Sequence, residues 1–412
     1  MRYRIAIAAA TVAIAAGAAS AQSAGEMETM RRQLQEMQRM NAELMRRLEV
    51  LEAARSAEAA PPPSAPETTI ASGQRNTRLT VYGQVNRAVL FADNGEESEA
   101  FFVDNSASST RFGMTGEADL DGTTLGANIE VELVSNPSSG AVSGNRFGPS
   151  TGEFNLRERR LELFARNAAY GEAFLGQGST ASDGTTEVTF SGTAVAGGYS
   201  DISALGGSIA FSGTGNTVRV RNVFNNFDGN SRQDRIRYDT PSLAGFRLGA
   251  SAADKGDVDL AAKWGGEFEG VKASAAAHVL FFGEKDNSRP FDMQYGGSAS
   301  VEFGGGFNIT GAVAARSGDD VDRDPIFVYG SLGYNTKALS SLGMTAFSVD
   351  YALNEDVARD GDEAQTFGAF AVQRVDRAAT DLYVGLRWYD LDRKGLDTDS
   401  IVGVWSGARL RF

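Results

Sequence analysis

From Leu79 to Phe412 apolar residues recur at every second position, and no helical period replaces them. In a strand, side chains two apart share a face, so this period puts one apolar and one polar face on each segment. Along Leu382–Tyr389 one face carries Leu382, Val384, Leu386 and Trp388; the other carries Tyr383, Gly385, Arg387 and Tyr389. Along Arg111–Leu120, Phe112, Met114, Ala118 and Leu120 oppose Arg111, Thr115, Glu117 and Asp119. Short turns (Asp121-Gly122, Ser242-Leu243-Ala244-Gly245, Gly304-Gly305-Gly306) alternate with longer acidic loops at 93–104, 136–153, 284–292, 317–325 and 355–363. Turns at one end and loops at the other describe an all-β, antiparallel, up-and-down transmembrane β-barrel. The segments predict about 16 strands, starting near residues 79, 106, 123, 154, 171, 232, 246, 257, 271, 293, 307, 326, 344, 364, 381 and 399. A barrel of that size encloses an aqueous lumen.

Composition removes several alternatives. There is no cysteine, hence no disulfide scaffold, thiol nucleophile or Cys-ligated metal. A single histidine, His278, rules out a multi-His metal site and strains any Ser-His-Asp hydrolase. With 53 acids against 39 bases, the chain does not carry the footprint of a nucleic-acid binder. No metal, cofactor or catalytic residue is expected. The run Asp319-Asp320-Val321-Asp322-Arg323-Asp324 lacks the glycine and terminal glutamate of an EF-hand loop. It reads as a solvated loop, the alternative being divalent ions that bridge it to lipopolysaccharide.

Three segments precede the barrel. Residues 1–21 have the form of a secretory signal peptide: Arg2 and Arg4, an apolar run, then Ala19-Ser20-Ala21. Residues 22–60 read as a coiled-coil segment. Met27, Leu34, Asn41 and Leu48 occupy a positions; Met30, Met37, Leu44 and Leu51 occupy d. Asn41 would fix register, and Arg47-Leu48-Glu49-Val50-Leu51-Glu52 matches a trimer-favouring pattern, with Arg47 and Glu52 flanking Leu48 and Leu51. Leu34, Asn41, Leu44, Arg47, Leu48, Leu51 and Glu52 are the candidate trimerisation residues. Residues 61–78 are a Pro/Ala-rich linker, leaving 79–412 as the barrel.

The barrel segment resembles the Gram-negative porin family. The resemblance is carried by Leu79-Thr80-Val81-Tyr82-Gly83-Gln84-Val85-Asn86, Ser109-Thr110-Arg111-Phe112-Gly113, Phe174-Leu175-Gly176-Gln177-Gly178, Arg235-Ile236-Arg237-Tyr238-Asp239-Thr240-Pro241 and the terminal Phe412. With its heptad segment the chain is similar to the DcaP-like trimeric porins. The resemblance implies a homotrimer in the Gram-negative outer membrane, with its coiled coil in the periplasm. Leu410 and Phe412 resemble the signal read by the barrel-assembly machinery.

One connection breaks the pattern. Residues 180–231 form a span far beyond ordinary loops, at the position where porins carry an inward-folded constriction loop. Asp183, Glu187 and Asp201 are its acidic candidates, and Val218–Arg221 could form a local strand. Parity puts Arg111, Arg160, Arg235, Arg237, Arg247, Arg387 and Arg409 on the non-lipid face as a basic wall. Arg159 competes with Arg160 because 157–160 reads Arg-Glu-Arg-Arg. An arginine facing lipid at mid-depth would cost ~2–4 kcal/mol. Parity nevertheless turns Arg87 outward. Acid on the loop against base on the wall creates a transverse field. The expected function is passive diffusion of ions and small hydrophilic solutes, with the arginine wall pointing to anions such as carboxylates. The alternative is a structural tether that links the outer membrane to periplasmic partners through the coiled coil.

Overall fold

The computed structural model describes residues 69–71, 76–140, 155–215, 217–285, 289–319 and 321–412. The signal-peptide and coiled-coil assignments lie outside these residues, as do 61–68 and 72–75 of the expected linker. Its residues 69–71 are strand, paired with the start of the barrel, because Thr69-Ile70-Ala71 finds an open ladder edge beside 78–80. The strands are β1 (Thr69–Ala71), β2 (Arg78–Asp93), β3 (Ser98–Asp104), β4 (Arg111–Leu120), β5 (Thr123–Val134), β6 (Asn155–Asn167), β7 (Gly171–Ser179), β8 (Arg232–Asp239) and β9 (Phe246–Ala253). They continue with β10 (Val258–Phe268), β11 (Val271–Phe281), β12 (Met293–Glu302), β13 (Phe307–Ser317), β14 (Ile326–Thr336), β15 (Thr345–Glu355), β16 (Asp362–Val375), β17 (Thr380–Arg393) and β18 (Ile401–Arg411).

Every pairing between these strands is antiparallel, and β18 closes on β2, from Val402 opposite Asp93 to Arg411 opposite Gln84. β1 adds three residues alongside the start of β2. β3 and β4 both pair with β2 and together form one wall strand, giving a closed barrel of 16 strands. Alternation along each strand decides the faces: in β13 and β14 buried and exposed residues alternate almost without exception. Leu332, Val328, Ile309 and Val313 point outward and are exposed, while Ser331, Tyr329, Asn308 and Ala312 point inward and are buried.

Two departures from the expected layout matter. The acidic loop expected at 93–104 is mostly strand, since Ser98–Asp104 pairs with β2 as a hairpin. Residues 105–110 instead leave the ladder, between the pairs Arg87–Asp104 and Gln84–Arg111. Gln84 and Asn86 hold this excursion: Gln84 Nε2 donates to Ser109 O (2.7 Å) and Asn86 Nδ2 to Ser108 O (2.8 Å).

The 180–231 segment lies against the inner wall. Inward side chains of many strands donate to its carbonyls: Trp405 to Ala196 (2.7 Å), Arg387 to Gly197 (2.9 Å), Asn335 to Phe190 (2.8 Å), Asn354 to Asn225 (2.8 Å) and Gln294 to Phe227 (2.9 Å). Each such bond is worth about 1 kcal/mol net. Val195, Ile202, Leu205, Ile209, Phe211 and Phe224 of the segment bury against Leu90, Phe101, Phe370 and Trp405 of the wall. The local strand expected at Val218–Arg221 is a single antiparallel bridge at Arg219, followed by a one-turn helix, Val220–Val223.

Candidate lumen site

A cavity of about 450 Å3 lies between the wall and the inward segment. Arg111 (β4), Arg159 (β6), Arg232 (β8) and Arg316 (β13) reach it from the wall, and Arg221 reaches it from the segment. Asp183, Glu187, Asp201 and Asp228 line it from the segment. Base and acid thus meet in one space.

The basic residues differ in how far they are neutralised. Glu130 on β5 binds Arg159 (Nε–Oε1, 2.7 Å), lies 3.8 Å from Arg111, and accepts the Tyr82 hydroxyl (2.9 Å). Arg232, Arg221 and Arg316 have no ion pair with a carboxylate among the described residues. Arg316 donates to Gln294 (2.8 Å), and its guanidinium sits 4.7 Å from the centre of the Phe227 ring. Stacking on an aromatic face leaves the guanidinium edge free to bind an anion.

The carboxyls are packed together. Burial, and after it the nearby Asp228, Asp201 and Asp183 carboxylates, push Glu187 well above the usual range. Burial also raises Asp201, although Ser203 Oγ donates to it at 3.0 Å. Asp228 is pushed up to about 6, again by burial first. The amides of Gly184 (2.7 Å) and Thr186 (2.9 Å) donate to Asp228 and oppose that shift.

Of the residues singled out from sequence, Arg111, Asp183, Glu187 and Asp201 line this cavity. On β6 it is Arg159 rather than Arg160 that lines it. A register shift between Glu130 and Val131 of β5 pairs Arg160 with Glu130 and Glu158 with Val131. The unpaired Arg159 is swung inward by this bulge, an effect strict alternation cannot express. The other candidate arginines do not line this cavity. Arg235, 4% exposed, is held by Glu162 (2.5 Å) and by Gly176 O (2.7 Å). Arg237 binds Asp239 (2.7 Å), and Arg387 binds Asp350 (2.9 Å). Arg247 binds Glu172 (3.1 Å) beside the turn ends of β6 to β9. Arg409 binds Asp381 (2.6 Å) and lines a second cavity. Arg87 faces outward as parity indicates, and pairs with Asp104. His278 is buried on the inner face, 2.6 Å from Thr185 Oγ1.

Sequence reasoning missed Arg221, Arg232, Arg316 and Asp228. Arg316 shares inward parity with Asn308, Thr310, Ala312 and Ala314, so the alternation could have found it. Arg232 follows Ser231, whose positive φ of 54° turns the chain into β8. No periodicity marks such a position.

A closed 16-strand barrel with an apolar exterior, a polar interior and a charged internal cavity defines the class of outer-membrane channel proteins. A family model described as Gram-negative porin matches residues 6–394, and the chain belongs to that family. Similar solved structures include the anion-selective porin from Comamonas acidovorans (18% identity, 82% of this chain and 100% of that one, TM-score 0.52). The outer membrane channel DcaP of Acinetobacter baumannii is 14% identical over 84% of this chain and 100% of its own, with TM-score 0.52. A trimer form of OmpT, an outer membrane protein of Vibrio cholerae, is 14% identical over 82% of this chain and 99% of its own, with TM-score 0.51. At these identities the likeness speaks to fold. No curated protein matches the sequence.

Proposed function

We propose that this channel passes ions and small hydrophilic solutes by passive diffusion, with a preference for anions, and that residues 180–231 form its constriction. The observation that carries the reading is the unequal charge of the cavity lining. Arg221, Arg232 and Arg316 line the cavity with no ion-pair partner among the described residues, and burial raises three of its four carboxyls, Asp228 to about 6. Arg232 and Arg316, unpaired with any described carboxylate, supply the fixed positive charge for a carboxylate-bearing solute. No enzymatic step is part of this reading.

The working form is a homotrimer joined through the heptad residues Leu34 to Glu52. The trimer form of the Vibrio protein supports self-association of this fold. Leu410 and Phe412 would serve the barrel-assembly machinery.

The test is a planar-bilayer recording of the purified chain across a KCl gradient. Current steps with a reversal potential of anionic sign are expected, and Arg232→Gln with Arg316→Gln should move it toward zero. A cation-selective wild type would overturn the anion preference. Silent, folded barrels would overturn the channel.

A further inference from the structure

A second basic cluster lies at the turn end of the barrel, away from the carboxyls of the first cavity. Asp381, at the start of β17, has a side chain only 2% exposed. Three arginines converge on it: Arg409 at 2.6 Å, Arg411 at 3.4 Å and Arg374 at 3.6 Å. Among the described residues Asp381 is the only carboxylate paired with any of the three. One negative charge therefore serves three positive ones. The side chains of Arg374 and Arg411 are each 41% exposed, so their charge reaches water. Among the described residues Arg374 Nε has no hydrogen-bond partner.

This cluster borders a cavity of about 260 Å3, lined by Arg374, Asp381 and Arg409 on the wall and by Thr189 and Val195 of the inward segment. The cavity shares Ala107 and Ser108 with the first one. Ser108 Oγ accepts from Arg111 (3.2 Å) and from Arg409 (2.8 Å), so the two arginine groups meet at one hydroxyl. Guanidiniums with spare donors, in a recess walled by protein, bind carboxylates through paired hydrogen bonds and concentrate anions locally.

We propose that Arg374 and Arg409, organised by Asp381, whose charge Arg411 also shares, form a second anion subsite for small carboxylates on the turn side of the constriction. A solute released by Arg111 is received there across Ser108. The inference rests on the barrel conducting, but not on the arginines of the first cavity being selective.

The experiment is block of KCl current through the full-length channel by succinate, read as the half-blocking concentration. Wild type is expected to block. Arg374→Gln and Arg411→Gln, each at a partly exposed position, should both raise the half-blocking concentration, Arg374→Gln by about tenfold, the effect of one lost charge-assisted hydrogen bond. Asp381→Asn should lower it, because it frees the three arginines. A merely structural cluster would not tighten succinate binding when its carboxylate is removed. Absence of block in a conducting wild type, or an unchanged half-blocking concentration in the arginine variants, would overturn the subsite. Lack of KCl conductance in wild type would instead overturn the channel itself.

Discussion

Arg387 and Asp350 meet across an intervening strand as a two-point ion pair, Nη1 to Oδ1 at 3.0 Å and Nη2 to Oδ2 at 2.9 Å. Both side chains are essentially unexposed. Gly368 of β16 lies between them in register, and a Cβ there would come within 2.5 Å of Asp350 Oδ1. The glycine is what lets β17 reach β15. The same guanidinium donates to Gly197 O, so the pair also pins the inward segment.

Breaking this pair strands a buried carboxylate. Arg387→Gln should cost about 3–5 kcal/mol of barrel stability. Urea titration of the folded protein would read it, and an increase in open-channel current noise should accompany it as residues 195–198 loosen. Gly368→Ala should act in the same direction by forcing the partners apart. Wild-type stability in both variants would remove the pair from its anchoring role.

Selectivity should depend on pH with a defined sign. Asp228, at about 6, binds a proton as the pH falls through that value, and Glu187 and Asp201 are shifted in the same direction. The cavity loses negative charge on acidification, so anion preference should rise from pH 8 to pH 5 and fall again on return. Reversal potentials at fixed KCl would show the step, and Asp228→Asn should flatten its centre near 6. A preference that moves the opposite way would contradict the buried carboxyl cluster.

The bulge in β6 separates two adjacent arginines. Arg159→Gln should lower the anion-to-cation permeability ratio by about fourfold, as a unit charge at ~10 Å in water is worth ~0.4 kcal/mol to each ion, with opposite sign for anion and cation. Arg160→Gln should change it less. Equal effects would mean that the register shift at Glu130 does not govern which arginine the ions meet.

Barrel closure depends on a contact at the chain end. Gly83 N donates to Phe412 O (2.9 Å), and Phe412 N donates to Gly83 O (3.0 Å). A side chain at Gly83 would come within 2.7 Å of the Phe412 ring. Gly83→Val is therefore expected to destabilise the closed barrel by about 1–3 kcal/mol through overpacking. The fraction of heat-resistant folded barrel on a gel would measure it, and a wild-type fraction would refute the closure argument.

The sequence by itself determined the barrel. A two-residue period has one physical meaning when repeated over so many segments, and it placed most strand starts close to their observed positions, from Arg78 of β2 to Ile401 of β18. It also exposed the 180–231 interruption, because no other connection is so long. It sorted inner from outer face, including the outward Arg87. Only the tertiary structure decided which inward arginines stay available to a solute. Arg235, Arg237 and Arg387 share the inner face with Arg111, yet Glu162, Asp239 and Asp350 hold them. Arg232 and Arg316 reach the cavity with no carboxylate partner among the described residues, and Arg159 reaches it bound to Glu130. Parity fixes the side on which a charge lies. Its neutralisation depends on strand register, one bulge and the path of a long segment, all set by contacts between residues far apart in the chain.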